Sequence, residues 1–300
     1  MSAADQRSGP VGGRSLTALL LVLTLCAFAG NSLLNRAALA ENTIDWASFT
    51  AIRIVSGALL LGLLFGWRHG RAVLPRRDTI VPAVALFLYA VSFSFAYVSL
   101  DAAIGALILF PAGQLSLQMI GIVRGIYPTA IQWAGLLLAI AGLAVFLAPG
   151  DTAPPLAGGL IMALAGISWG FYSWAGKGAA RPALATARNF VGAAVLCLLL
   201  IPVLGSGEHV QPTGVMLAII SGTITSGLGY ITWYAVLPRL SVSTAAASQL
   251  SVPAIAALGG VLLLGEILTT RFFIGSAMIF AGIGLTMIKW SGFKPRQQSL

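Results

Sequence analysis

The sequence predicts an all-α integral membrane protein with ten transmembrane helices, arranged as two inverted five-helix repeats. Three observations carry this. Of 300 residues, 58% are hydrophobic and only 8% charged, where ordinary soluble domains are about a quarter charged. The apolar residues fall into ten runs of about 20, and at about 1.5 Å per residue each spans the roughly 30 Å core of a bilayer. Motifs of the first five runs return in the second five at a nearly constant spacing. Little chain is left over for a soluble domain.

The first run, Ser15–Asn35, places Thr24, Phe28, Asn31 and Asn35 on one helical stripe. Arg7, Arg14 and the later Ala38-Leu39-Ala40 resemble a cleaved leader. Asn31, Asn35 and Arg36 interrupt that pattern and the repeat needs the helix, so it counts as a span. Trp46–Trp67 carries Arg53. Ile80–Leu100 groups Tyr89, Ser92, Phe93 and Ala96, with Ser94 and Tyr97 on the next line. Ala102–Val123 aligns Leu107, Pro111, Gln114 and Gln118. Thr129–Ala148 holds Gly135 and Gly142, with Gln132 almost its only polar residue. Leu156–Trp174 offers Trp169 and Tyr172, and Ala183–Leu204 carries Arg188. Gly214–Leu237 brings Ser226, Tyr230 and Trp233, and Val242–Leu264 sets Gln249 one turn before Pro253. Phe272–Ile288 repeats the glycine pair as Gly275 and Gly282, with Ser276 and Thr286 its few polar groups.

The charges orient the chain. If the N-terminus is cytoplasmic, the inner segments hold Arg7, Arg14, Arg68, Arg71, Arg76, Arg77, Arg124, Lys177, Arg181, Arg239, Lys289, Lys294 and Arg296. Only Arg36 and Arg271 fall outside, and Arg53 and Arg188 lie within spans. Glu41, Asp45, Asp101, Asp151, Glu208 and Glu266 all lie outside. This positive-inside bias puts both termini in the cytoplasm, and the expected location is a bacterial-type inner membrane. It also explains the net charge of +9 without nucleic acid. The division is then a tail (1–14), a first repeat (15–148), an outer linker (149–155), a second repeat (156–288) and a second tail (289–300). Cys26 and Cys197 sit mid-span and read as small apolar fillers.

Arg53-Ile-Val-Ser-Gly57 in the second span matches Arg188-Asn-Phe-Val-Gly192 in the seventh. Pro111 matches Pro253, and Gly135 and Gly142 match Gly275 and Gly282. Five spans per half force the second half to enter the membrane from the opposite side, the signature of carriers with a site near the midplane. These residues, with Leu264-Gly265-Glu266-Ile267-Leu268-Thr269 after the ninth span, resemble the EamA-type members of the drug/metabolite transporter superfamily from about Ala18 to Ile288. The first half departs from the pattern, carrying Arg124 where the second has Glu266. The resemblance implies export or exchange of small polar metabolites. Amino acids are prominent among them, with an aromatic-amino-acid exporter branch, and sugar or nucleotide-sugar carriers are the alternative.

Polar groups inside spans are costly and tend to face a cavity or a partner helix. The expected substrate cavity is Asn31, Tyr89, Phe93, Gln114, Trp169, Tyr172, Tyr230, Trp233 and Gln249, with the fifth and tenth helices as scaffold. Asn35 and Gln118 equally suit helix–helix hydrogen bonds. Trp67, Trp174 and Trp290 suit an interfacial belt. Pro111, Pro253, Arg53 and Arg188 are expected at gates or hinges, and each arginine is otherwise an interfacial anchor or a lure for a substrate carboxylate. No Asp, Glu or His lies mid-span, so transport through a midplane carboxylate is not expected. No nucleophile, metal-ligand or phosphate-loop pattern appears, which argues against an enzyme and implies no cofactor or metal. Rings of like charge, which would mark a channel, are also missing. The expected partners are a small-molecule substrate and the lipid bilayer, with the chain a monomer or homodimer.

Overall fold

The computed structural model describes residues 11–150, 153–176, 179–204, 210–240 and 242–288, and all regular structure among them is helical. The expectations for Arg7, Asp151, Lys177, Glu208, Lys289, Trp290, Lys294 and Arg296 lie outside these residues, as do both tails for the most part. The first seven spans are α1 (Val11–Ala40), α2 (Trp46–His69), α3 (Ile80–Tyr97), α4 (Ala102–Val123), α5 (Ala130–Leu147), α6 (Leu156–Gly176) and α7 (Pro182–Leu196). Side-chain caps fix several starts. Asp45 accepts a hydrogen bond from the Ser48 amide at the head of α2, and Thr129 with Gln132 forms a capping box on α5.

The last three spans are less regular than their sequence pattern. The eighth is α8 (Pro212–Ile220), a π-helical stretch over Ser221–Leu228, and α9 (Gly229–Val236). The ninth is divided into α10 (Val242–Gln249) and α11 (Ser251–Leu264), and the tenth is α12 (Thr270–Thr286). Pro253 has no N–H for the Gln249 carbonyl, and its ring crowds that oxygen, so one helix stops at Gln249 and another starts after Leu250. Its counterpart Pro111 lies inside an unbroken α4. Among the described residues, nine helical stretches reach 18 residues with enough apolar character to cross a membrane. The helix over Thr270–Thr286 falls just short in length.

Glycines set how closely the spans approach. A side chain at Gly135 would lie 2.5 Å from the Gly282 carbonyl oxygen, and one at Gly282 would lie 2.6 Å from that of Gly135. The same seam continues where Gly142 meets Met278 and Ile279, and Gly275 meets Phe146. The glycine pairs of α5 and α12 are thus spent within one chain. The α6 helix packs on α3 and α4, α1 on the eighth span and α11, and α2 on α7 and the eighth span. Such backbone-close crossings suit a bilayer, where packing rather than water exclusion holds helices together. Leu59, Leu63, Leu262 and Leu263 are exposed on the outside of the bundle, and Trp67 at the end of α2 is 94% exposed. The loops give one end Asp45, Asp101 and Glu266 and the other Arg76, Arg77, Arg124, Arg181 and Arg239.

Candidate functional site

The polar stripe of α1 points into the bundle. Asn31 accepts from the hydroxyls of Ser221 (2.6 Å) and Thr225 (3.2 Å), and its amide donates to the Tyr89 hydroxyl at 3.3 Å. Asn35 accepts from Ser94 at 3.0 Å and donates to the Asn31 carbonyl at 2.8 Å. Ser221, Thr225 and Ser226 all come from the π-helical stretch. Its wider turn gathers these hydroxyls toward α1 and α2, and such turns frequently mark functional sites.

Beside this network the aromatic side chains converge. Trp169 packs against Tyr230, Tyr89, Tyr172 and Phe28, with ring centroids 5.1, 5.3, 5.6 and 5.7 Å away. Phe28 also meets Phe110 and Trp233. The group encloses a cavity of about 10 Å³ lined by Phe28, Asn31, Ser32, Tyr89, Phe93, Leu109, Phe110, Trp169 and Tyr230. That is room for about one water, so the rings close the site on themselves in this conformation. The Tyr172 and Tyr230 hydroxyls are buried with no hydrogen-bond partner.

Arg53 enters the same centre from α2 and is only 2% exposed, which excludes the interfacial-anchor role. Its Nε donates to the Ser226 hydroxyl and its Nη2 to the Tyr89 hydroxyl, both at 3.2 Å. The guanidinium carbon lies 5.0 Å from the Phe93 ring centroid and 5.3 Å from that of Tyr89. Nη1 is buried without a partner. Arg188 behaves differently. It is half-buried and its Nε donates to the Ala72 carbonyl, tying α7 to the turn after α2.

Of the expected cavity residues, Asn31, Tyr89, Phe93, Trp169 and Tyr230 line the central space. Tyr172 and Trp233 back it from behind. Gln114 and Gln249 stand apart, facing each other across α4 and α10 at 3.5 Å. Sequence reasoning left out Leu109 and Phe110 as wall residues, because an apolar side chain at a cavity looks like any core residue, and Ser32, which lies next to the stripe residue Asn31 and not on its stripe. It also left out Ser221 and Thr225, whose grouping depends on a π turn that helical spacing does not encode.

Charged side chains tie the acidic end together. Arg36 pairs with Asp101 at 3.0 Å and donates to the Tyr97 and Val98 carbonyls. Glu266, after α11, accepts from the Ala102 and Ala103 amides at 2.5 and 3.2 Å, so it caps α4 from the other half of the chain. A cavity of about 250 Å³ lies beside it, lined in part by Asp101, Pro154, Pro155 and Phe272. Burial pushes the Glu266 carboxyl above its ordinary 4.5, against the pull of the two amides. The folded state then holds this proton more tightly than the unfolded chain. The contribution to stability is therefore complete below about pH 4.5 and is lost as pH rises through the raised value. Thermal unfolding in nanodiscs should show this decline, and Glu266→Gln should flatten it. A midpoint rising with pH through that window would contradict the assignment.

A polytopic helical bundle with an occluded, aromatic-walled polar centre is the build of a membrane carrier. The profile of the EamA-like transporter family matches residues 156–288. The chain is 44% identical over 281 residues to PA1977, an uncharacterized protein of Pseudomonas aeruginosa, covering 94% of this chain and 98% of that one. It is 27% identical over 277 residues to a probable terminal-alkyne amino-acid exporter of Streptantibioticus cattleyicolor, covering 88% and 91%. A crystal structure with 20% sequence identity superposes with a TM-score of 0.63, covering 91% of this chain and 97% of its own, and bears on the fold alone. The second half of the chain is an EamA-like transporter family domain.

Proposed function

We propose that the protein is a secondary transporter that exports amino acids, aromatic or large neutral ones first, by alternating access around the central cavity. The observation that carries this is the enclosed site itself, where the rings of Phe28, Tyr89, Trp169 and Tyr230 surround a small polar centre. Rings of this kind favour an apolar or aromatic side chain. A relative named as a probable terminal-alkyne amino-acid exporter supports amino acids as the class of substrate.

Two inverted halves account for the packing. Under an internal two-fold axis, the most extensive contacts between spans have mates. The α3·α6 contact pairs with that of the eighth span and α1, α4·α6 with α11·α1, and α3·α7 with the eighth span and α2. The α2·α7 and α5·α12 contacts lie on the axis, and Gly135 with Gly282 meets there reciprocally. In this reading the acidic end faces outward and the basic end faces the cytoplasm of the inner membrane. The Arg36–Asp101 pair and Glu266 form the closed outer gate, with hinges at Pro111 and Pro253.

Counterflow in proteoliposomes tests the reading. Vesicles loaded with unlabelled phenylalanine, tryptophan or leucine should accumulate the labelled amino acid saturably, well above protein-free vesicles. Flux of sugars with none of any amino acid would overturn it.

A further inference from the structure

We propose that Arg53 is the receptor for a carboxylate on the transported molecule, and that the site reads this carboxylate by charge while leaving the α-amino group unread. The inference rests on the proposed transport function and deepens it to a substrate class: carboxylic acids bearing an apolar or aromatic side chain.

A guanidinium has five N–H donors in a fixed fork and cannot shed its charge. Arg53 is buried in the middle of a membrane bundle, and its partners are two neutral hydroxyls and two ring faces. Among the described residues the one salt bridge is Arg36–Asp101, at the acidic end. A buried cation without a counter-ion is costly, and the fold nonetheless keeps Nη1 unsatisfied. Tyr89 and Phe93, on which the guanidinium lies, are walls of the central cavity. An anion entering that cavity would complete the charge. A carboxylate suits it best, since two parallel N–H bonds match a planar acid group.

The other end of an amino acid finds no such reception. No Asp or Glu among the described residues reaches the centre, and the Asn31 oxygen already accepts from Ser221 and Thr225, which fills both of its lone pairs. An ammonium would meet ring faces and hydroxyls only. A keto group or a hydroxyl at that position should serve about as well.

The test is a counterflow series with four probes of one side chain: phenylalanine, phenylpyruvate, phenylalaninamide and phenethylamine. Wild type should carry the first two within about threefold of each other and the last two at least 30-fold more slowly. Arg53→Gln should slow both carboxylates and bring the carboxylate-to-amide ratio toward one, and Arg53→Lys should retain part of it. If Arg53→Gln does not fold, the wild-type series decides alone. Equal flux of all four probes, or an unchanged ratio in Arg53→Gln, overturns the inference and leaves the transport function standing. No flux of any probe or of any other amino acid overturns the function and the inference together.

Discussion

Gly222→Val is expected to remove the folded, transport-competent protein. Gly222 lies in the π-helical stretch where it crosses α2, and a side chain there would sit 2.0 Å from the Arg53 carbonyl oxygen and 2.2 Å from Ser56 Oγ. A side chain added at Gly57 on the facing helix would likewise lie 2.8 Å from the Gly222 carbonyl oxygen and 2.6 Å from the Phe190 ring, so the crossing is close from both sides. Overpacking a core by a few methylenes costs about 1–3 kcal/mol where neighbours can give, and here the obstacle is backbone. For a chain of about this size that ordinary cost alone lowers the unfolding midpoint by about 2–12 °C, and the backbone clash adds to it, with loss of the Arg53–Ser226 bond. Size-exclusion profiles and thermal unfolding in detergent check it, with Gly62→Ala as control because nothing lies within 4 Å of that position. A Gly222→Val protein with a wild-type midpoint and wild-type counterflow would refute the close crossing.

Trp169→Ala should lose transport by a different route. The indole is 5% exposed and packs against four aromatic rings. Truncating such a residue costs about 3–5 kcal/mol and leaves a hole. Counterflow of an aromatic amino acid should fall at least tenfold. Trp169→Phe, which keeps one ring in the cluster, should recover most of both stability and rate. Equal rates for the alanine and phenylalanine variants would take Trp169 out of the substrate wall.

What the sequence disclosed follows from what a bilayer demands. Span positions were legible because a membrane helix must be long and apolar, while the glycine spacing of the fifth and tenth spans suited close packing without saying that α5 and α12 pack on each other. The central aromatic residues were legible too, since Trp169, Tyr89 and Tyr230 lie deep within spans where belts do not reach. Gln114 and Gln249 face each other without lining the small closed cavity, since stripe membership gives a face and not a depth. Arg53 and Arg188 occupy matching places in the repeat, yet one ends in the core and the other on a loop carbonyl. Their surroundings differ, since Arg53 meets the π turn of the eighth span, and a local motif carries no record of that.

The unequal prolines bear on how the molecule would cycle. Pro111 and Pro253 occupy corresponding places, but only the ninth span is interrupted, at Leu250, three residues before its proline. If the two halves trade conformations when the binding site changes sides, the interruption must change owners as well. The opposite state would then have a straight ninth helix and a break in the fourth at Ile108, three residues before Pro111. The cycle would conserve one broken strut and pass it from one half to the other, and spin labels flanking Ile108 and Leu250 would report opposite changes in distance.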